Sequence, residues 1–176
     1  MSKVPRLHLR NVVRSRTDVA SQLMSPGDAV LVERGVPRWL VMQCPCGCGA
    51  EIPINLDSRA GPAWRLYNHP RRGITVFPSV WRDTDCESHF IIRRGDILLF
   101  GRERDSRATF MDDDELTSLA ALTSSHLPEA GYVPYLQVAD ALGAVPWDVL
   151  DSLRYLVRKN LAVEGIEDKR GTFSRA

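Results

Sequence analysis

Hydrophobic positions along the chain change period about two thirds of the way through, and that change divides the protein. From Asp28 to Phe100 they fall in short runs, punctuated by Pro, Gly, Asn and Asp, as expected of strands and tight turns. Ala29 to Arg34 and Arg38 to Gln43 flank Gly35-Val36-Pro37 and predict a hairpin. Glu51 to Leu56 and Ala63 to Tyr67 alternate with period two. Gly73 to Phe77 and His89 to Ile92 bracket a polar loop, and Arg93-Arg94-Gly95-Asp96 turns the chain into Ile97 to Phe100.

Beyond residue 111 the period lengthens. Asp112 to Leu122 opens with acidic residues suited to a helix N-terminus. Pro134 to Leu142 and Pro146 to Lys159 are separated by Gly143-Ala144. In the last of these, Val149, Leu150, Leu153, Leu156 and Val157 form one helical stripe. Leu161 to Val163 and Thr172-Phe173, joined by Gly165 to Gly171, read as a short hairpin. The predicted fold class is α+β: a small antiparallel β-domain followed by a winged-helix-like helical domain. The expected divisions are a basic N-terminal segment at 1–27, the β-domain at 28–104, a linker at 105–111 and the helical domain at 112–176.

With 176 residues the chain can bury a real core without disulfides. No apolar stretch approaches the roughly 18 residues of a membrane span. The basic start lacks the apolar block of a secretory signal, so the expected location is the cytoplasm, without a membrane partner. Charge is uneven. Residues 1–110 carry 17 Lys and Arg against 11 Asp and Glu, net +6, and residues 111–176 carry 6 against 11, net −5. The acidic half, in which the last helix is expected to present Asp148 and Asp151 as well as Arg154, Arg158 and Lys159, argues against nucleic acid as a partner through its net charge.

Four cysteines carry the strongest chemical signal. Cys44-Pro45-Cys46-Gly47-Cys48 places three thiols within five residues, with Pro and Gly allowing the backbone to turn around one centre. Cys86 is the one remaining cysteine. In a reducing compartment such clusters are more often metal ligands or redox groups than disulfides, and four thiolates suit one tetrahedral zinc ion. His89, three residues past Cys86, is the alternative fourth ligand. A closed four-thiolate shell would staple strands and leave no position at which to activate water.

Chemistry would then lie beside the metal. Ser79, Ser88 and His89 fall at the facing ends of two predicted strands, and a serine within reach of a histidine is the minimal activated nucleophile. Ser88 and His89, being adjacent, would project to opposite faces if extended, which favours Ser79 as the partner of His89. Glu51, Asp57, Asp83 and Asp85 are all available as an orienting acid. Trp81 and Arg82 can grip a substrate tail or carboxylate.

The motifs Cys44-Pro45-Cys46-Gly47-Cys48-Gly49, Trp64-Arg65-Leu66, Pro78-Ser79-Val80-Trp81-Arg82 and Cys86-x-Ser88-His89-Phe90-Ile91-Ile92-Arg93 together resemble the bacterial BubE family over about residues 28–101. The resemblance implies a serine-type peptidase that processes or deconjugates a bacterial ubiquitin-like protein, in operons with E1-like and E2-like enzymes tied to antiphage defence. It implicates Ser79, Ser88 and His89 as catalytic candidates and the four cysteines as ligands of a structural zinc. Two other readings stand beside it: a non-catalytic, zinc-stapled protein-binding module of such a system, and a DNA-binding regulator.

Overall fold

A computed structural model describes residues 5–101 and 111–176. The chain divides into two compact units, Met1–Thr109 and Phe110–Ala176. The expected linker, apart from Met111, lies outside the described residues.

The first unit holds eight strands among its described residues: β1 (His8–Val13), β2 (Asp28–Glu33), β3 (Pro37–Gln43), β4 (Glu51–Asn55), β5 (Arg65–His69), β6 (Gly73–Trp81), β7 (His89–Arg93) and β8 (Asp96–Leu99). They form two four-stranded sheets, ordered β1-β2-β3-β4 and β5-β6-β7-β8. Period-two alternation sends one set of side chains from each sheet into a shared core. Leu40, Met42, Ile52 and Ile54 come from the first sheet, and Val76, Phe90, Ile92 and Ile97 from the second.

The first sheet is also apolar on its outer face. Val30, Val32 and Val41 point there and are covered by Val19, with Trp39, Leu23 and Val13 packed against them. Burial on both faces accounts for the unbroken apolar runs of β2 and β3, which alternation alone would have interrupted with polar residues. It also gives the N-terminal residues a structural role. The expected basic lead segment supplies β1, which pairs parallel to β2, so the unit is not wholly antiparallel. Two short 3-10 turns, Arg16–Asp18 and Ala20–Gln22, then bring Val19 over the outer face.

Basic side chains of that segment answer buried acids. Arg10 Nη2 lies 2.7 Å from Asp28 Oδ1, and the amides of Met24 and Ser25 donate to Asp28 Oδ2 at 3.0 and 2.9 Å. Burial acts to raise the pKa of Asp28, but these bonds outweigh it and hold the carboxyl below its ordinary value. Gly27, at φ +88°, is required between them, since a Cβ there would lie 2.4 Å from the carbonyl oxygen of Arg6.

In the second unit α1 (Asp113–Ser124), α2 (Tyr135–Leu142) and α3 (Pro146–Arg158) accompany a small sheet ordered β10-β11-β9. Its strands are β9 (Val133–Pro134), β10 (Ala162–Glu164) and β11 (Thr172–Arg175). Asp112 caps α1 by accepting from the amide of Glu115 at 2.8 Å. Pro146 starts α3, whose Val149, Leu153 and Leu156 pack with Ala120, Val138, Ala139 and Phe173. Asp148, expected on the outer face of α3, is buried instead. No helix among the described residues is long and apolar enough to cross a membrane.

Candidate active site beside a four-thiol cluster

The turn after β3 carries Cys44, Cys46 and Cys48, and the loop from β6 to β7 carries Cys86. Positive φ at Gly47 and Gly49 lets the knuckle curl. Its sulfurs and that of Cys86 all lie within 4.8 Å of one another, with Cys44 and Cys86 3.7 Å apart. Tetrahedral zinc with bonds of about 2.3 Å places its ligand sulfurs about 3.8 Å apart, so the donor set fits that ion. His89 is directed elsewhere.

The thiols perturb one another. Burial pushes the Cys44 thiol up to about 12, with the neighbouring thiols of Cys46 and Cys86 adding to the effect. Burial acts in the same sense on Cys46, but hydrogen bonds involving Ser88 and Cys44 bring it down to about 6. A bound cation would favour the thiolate form of all four.

Ser88 and His89 separate as the extended geometry of their strand requires. Ser88 is 6% exposed and its Oγ lies 3.4 Å from the sulfurs of both Cys44 and Cys86. On the other face, His89 Nε2 lies 3.0 Å from Ser79 Oγ. A bulge makes this second contact. Between the pairs Val76↔Ile92 and Val80↔Phe90, three residues of β6 (Phe77, Pro78, Ser79) oppose one of β7. The Phe77-Pro78 peptide is cis, and the indole of Trp64 donates to the carbonyl of Ser79 at 3.2 Å. Beyond the bulge Trp81 pairs with His89, which leaves Ser79 on the diagonal to the imidazole.

Sequence reasoning missed Phe100. Its ring stacks on His89 with centroids 4.0 Å apart and planes 25° from parallel, while Trp81 approaches from β6 at 6.1 Å. The turn at Arg94-Gly95 pairs Arg93 with Asp96, so counting outward sets Phe100 opposite His89. The Phe100 amide donates to the His89 carbonyl at 2.9 Å.

Trp81 is 69% exposed and open to a substrate chain. Arg82 is folded back: its guanidinium pairs with Asp85 and donates to the carbonyl of Thr84 at 3.2 Å. Of the other candidate acids, Glu51 pairs with Arg16, Asp57 pairs with Arg38 and Arg59, and Asp83 is exposed. Among the described residues, none of the four carboxylates hydrogen-bonds to His89.

These features define a class: a β-domain in which four thiols able to hold a metal ion flank a serine hydroxyl paired with an imidazole. Residues 15–100, just under half of the chain, match the family BubE, described as bacterial ubiquitination-like system serine protease. The resemblance read from the motifs is therefore shown over that segment. No curated protein and no solved structure matches the chain.

Proposed function

We propose that the first unit is a serine-type peptidase that processes or deconjugates a bacterial ubiquitin-like protein, with Ser79 as nucleophile and His89 as general base. The 3.0 Å contact between Ser79 Oγ and His89 Nε2 supports this reading most directly. Neutral imidazole accepts the hydroxyl proton as Oγ attacks the scissile carbonyl, and returns it to the departing amine as the carbon–nitrogen bond breaks. Water, deprotonated by the same nitrogen, then attacks the acyl carbon, and the proton passes from the imidazole to Ser79 Oγ as the ester bond breaks.

Phe100 and Trp81 flank the imidazole and fix the plane in which its Nε2 meets the hydroxyl. The open Trp81 ring gives an extended, glycine-containing tail a surface to lie along. Cys44, Cys46, Cys48 and Cys86 would hold one structural zinc ion, which when bound cross-links the β3–β4 turn to the β6–β7 loop. Ser88 then belongs to the cluster: its hydroxyl can donate to a thiolate while His89, next in sequence, faces Ser79. E1-like and E2-like enzymes are further candidate partners.

In the second unit, the order α1, β9, α2, α3 and then the β10–β11 hairpin supports a winged-helix arrangement. Its acidic charge favours docking to protein over nucleic acid.

A fluorophosphonate probe followed by peptide sequencing tests the assignment. Labelling is expected at Ser79, retained in Ser88→Ala at saturating zinc, and lost in Ser79→Ala and His89→Ala. A tail-extended ubiquitin-like precursor should be shortened by the wild-type chain and by zinc-saturated Ser88→Ala, and by neither Ser79→Ala nor His89→Ala. Label on Ser88, or cleavage by His89→Ala at the wild-type rate, would refute the assignment. The contrasting reading, a non-catalytic binding module, draws on the absence, among the described residues, of a carboxylate hydrogen-bonded to His89; it requires neither label nor cleavage.

A further inference from the structure

Arg34, Arg38 and Asp57 come together where β2 and β4 end and β3 begins, at the end of the first sheet opposite the cysteine knuckle. With Arg16, Val32 and Trp39 they line a pocket of about 400 Å³. Arg38 and Cys44 stand at the two ends of β3, about 20 Å apart along an extended strand. The lining of the pocket includes neither Ser79 nor His89.

Three arginines face one aspartate there. Asp57 is already shared by Arg38 and Arg59, which hold its carboxyl well below the usual carboxylate range. The Arg34 side chain makes one hydrogen bond among the described residues, from Nε to the carbonyl of Arg14 at 2.8 Å, and its two terminal nitrogens meet no carboxylate among them. Arg16 pairs with Glu51 and lies 5.5 Å over the ring of Trp39. Each guanidinium is therefore held in place by a contact of its own, while local charge stays positive: Arg16, Arg34, Arg38 and Arg59 exceed Asp57 and Glu51 by two. Ordering before binding reduces the entropy lost when a ligand arrives.

We infer that this pocket docks an acidic peptide segment of a protein partner, whose carboxylates are taken by the guanidinium groups of Arg34, Arg16 and Arg38. Guanidinium geometry matches carboxylate in two-point contacts. A nucleotide fits less well, because Trp39 packs against the valine cluster and carries Arg16 over its ring, leaving it a wall and not a platform for a base. The net charge of +6 over residues 1–110 steers an acidic partner toward this unit. Docking here does not depend on serine chemistry.

The test is fluorescence anisotropy with a fluorescein-labelled hexaglutamate peptide, and with hexaglutamine as the neutral control, on the full-length zinc-loaded chain. Binding of hexaglutamate alone is expected, weakening as salt rises. Arg34→Gln should weaken it about fivefold, the scale of one half-exposed charge contact, with Arg34→Lys between the two. Arg16→Gln supplies a second variant should Arg34→Gln unfold, and unchanged thermal denaturation reports folding in each. Ser79→Ala should bind as the wild type does, so a failed peptidase assignment leaves this result intact. Equal binding by the wild type, Arg34→Gln and Arg16→Gln would overturn the inference. So would equal weakening by Arg170→Gln in the second unit, or displacement of the peptide by inorganic phosphate where chloride at matched ionic strength has no effect.

Discussion

Substituting Ser88 by alanine separates the two roles that serine can play beside a metal cluster. Ser88 Oγ is 3.4 Å from both the Cys44 and Cys86 sulfurs, but a hydroxyl has one proton and donates to one thiolate at a time. The loss is therefore that of a single long hydrogen bond to a charged acceptor, about 1.5 kcal/mol at the low end of such bonds. That corresponds to zinc affinity about tenfold weaker, in line with the effect of removing a group that supports a metal ligand. Ser88 is buried and keeps its Cβ as alanine, so no cavity of consequence is added. Competition against a chromophoric zinc chelator under reducing conditions measures the ratio directly. Ser79→Ala, on the opposite face of the same sheet, should leave it unchanged. An affinity within twofold of wild type for Ser88→Ala, or an equal fall for Ser79→Ala, would refute the division of labour between the two serines.

Other expectations follow from single contacts. Phe100→Leu removes the ring stacked on His89 and should slow labelling of Ser79 about two- to tenfold, as loss of an aromatic pair predicts, whereas Phe100→Tyr should retain the rate; the fluorophosphonate reaction followed in time distinguishes them. Asp28 has a folded pKa below its unfolded value, so its stabilisation is complete above about pH 5 and is lost as pH falls through the folded value. Asp28→Asn should accordingly cost about 2 kcal/mol in urea unfolding at neutral pH and progressively less toward pH 3. Phe173→Ala empties the centre of the second unit's core and should cost about 3–5 kcal/mol there, read as an earlier unfolding transition in calorimetry.

The hairpin β7–β8 and the contact between β6 and β7 mark the boundary between what the sequence determines and what the tertiary structure decides. A two-residue turn with Arg94 and Gly95 at positive φ locks the β7–β8 register, so His89 and Phe100 are opposed by counting alone. The four-thiol cluster was similarly legible, since three cysteines in alternation and one other in the chain leave little choice of ligands. The alternation of side chains across a strand likewise separated Ser88 from His89 before any coordinates.

Alternation favours Ser79 over Ser88 as the partner of His89, but the tertiary structure decides the contact itself. Ser79 reaches His89 because three residues of β6 bulge against one of β7, and the loop carrying Cys86 imposes no register that counting could find. The N-terminal residues tell the same story at the scale of the fold. Their basic composition is plain in the sequence, but Arg10 acquires its role only when β1 lies beside β2 and brings it to Asp28. Arg16, Arg34, Arg38 and Asp57 gather into one pocket for the same reason. Local chemistry fixes turns, alternation and ligand sets, while contacts between chain segments far apart depend on sheet order, which only the packing of the whole unit selects.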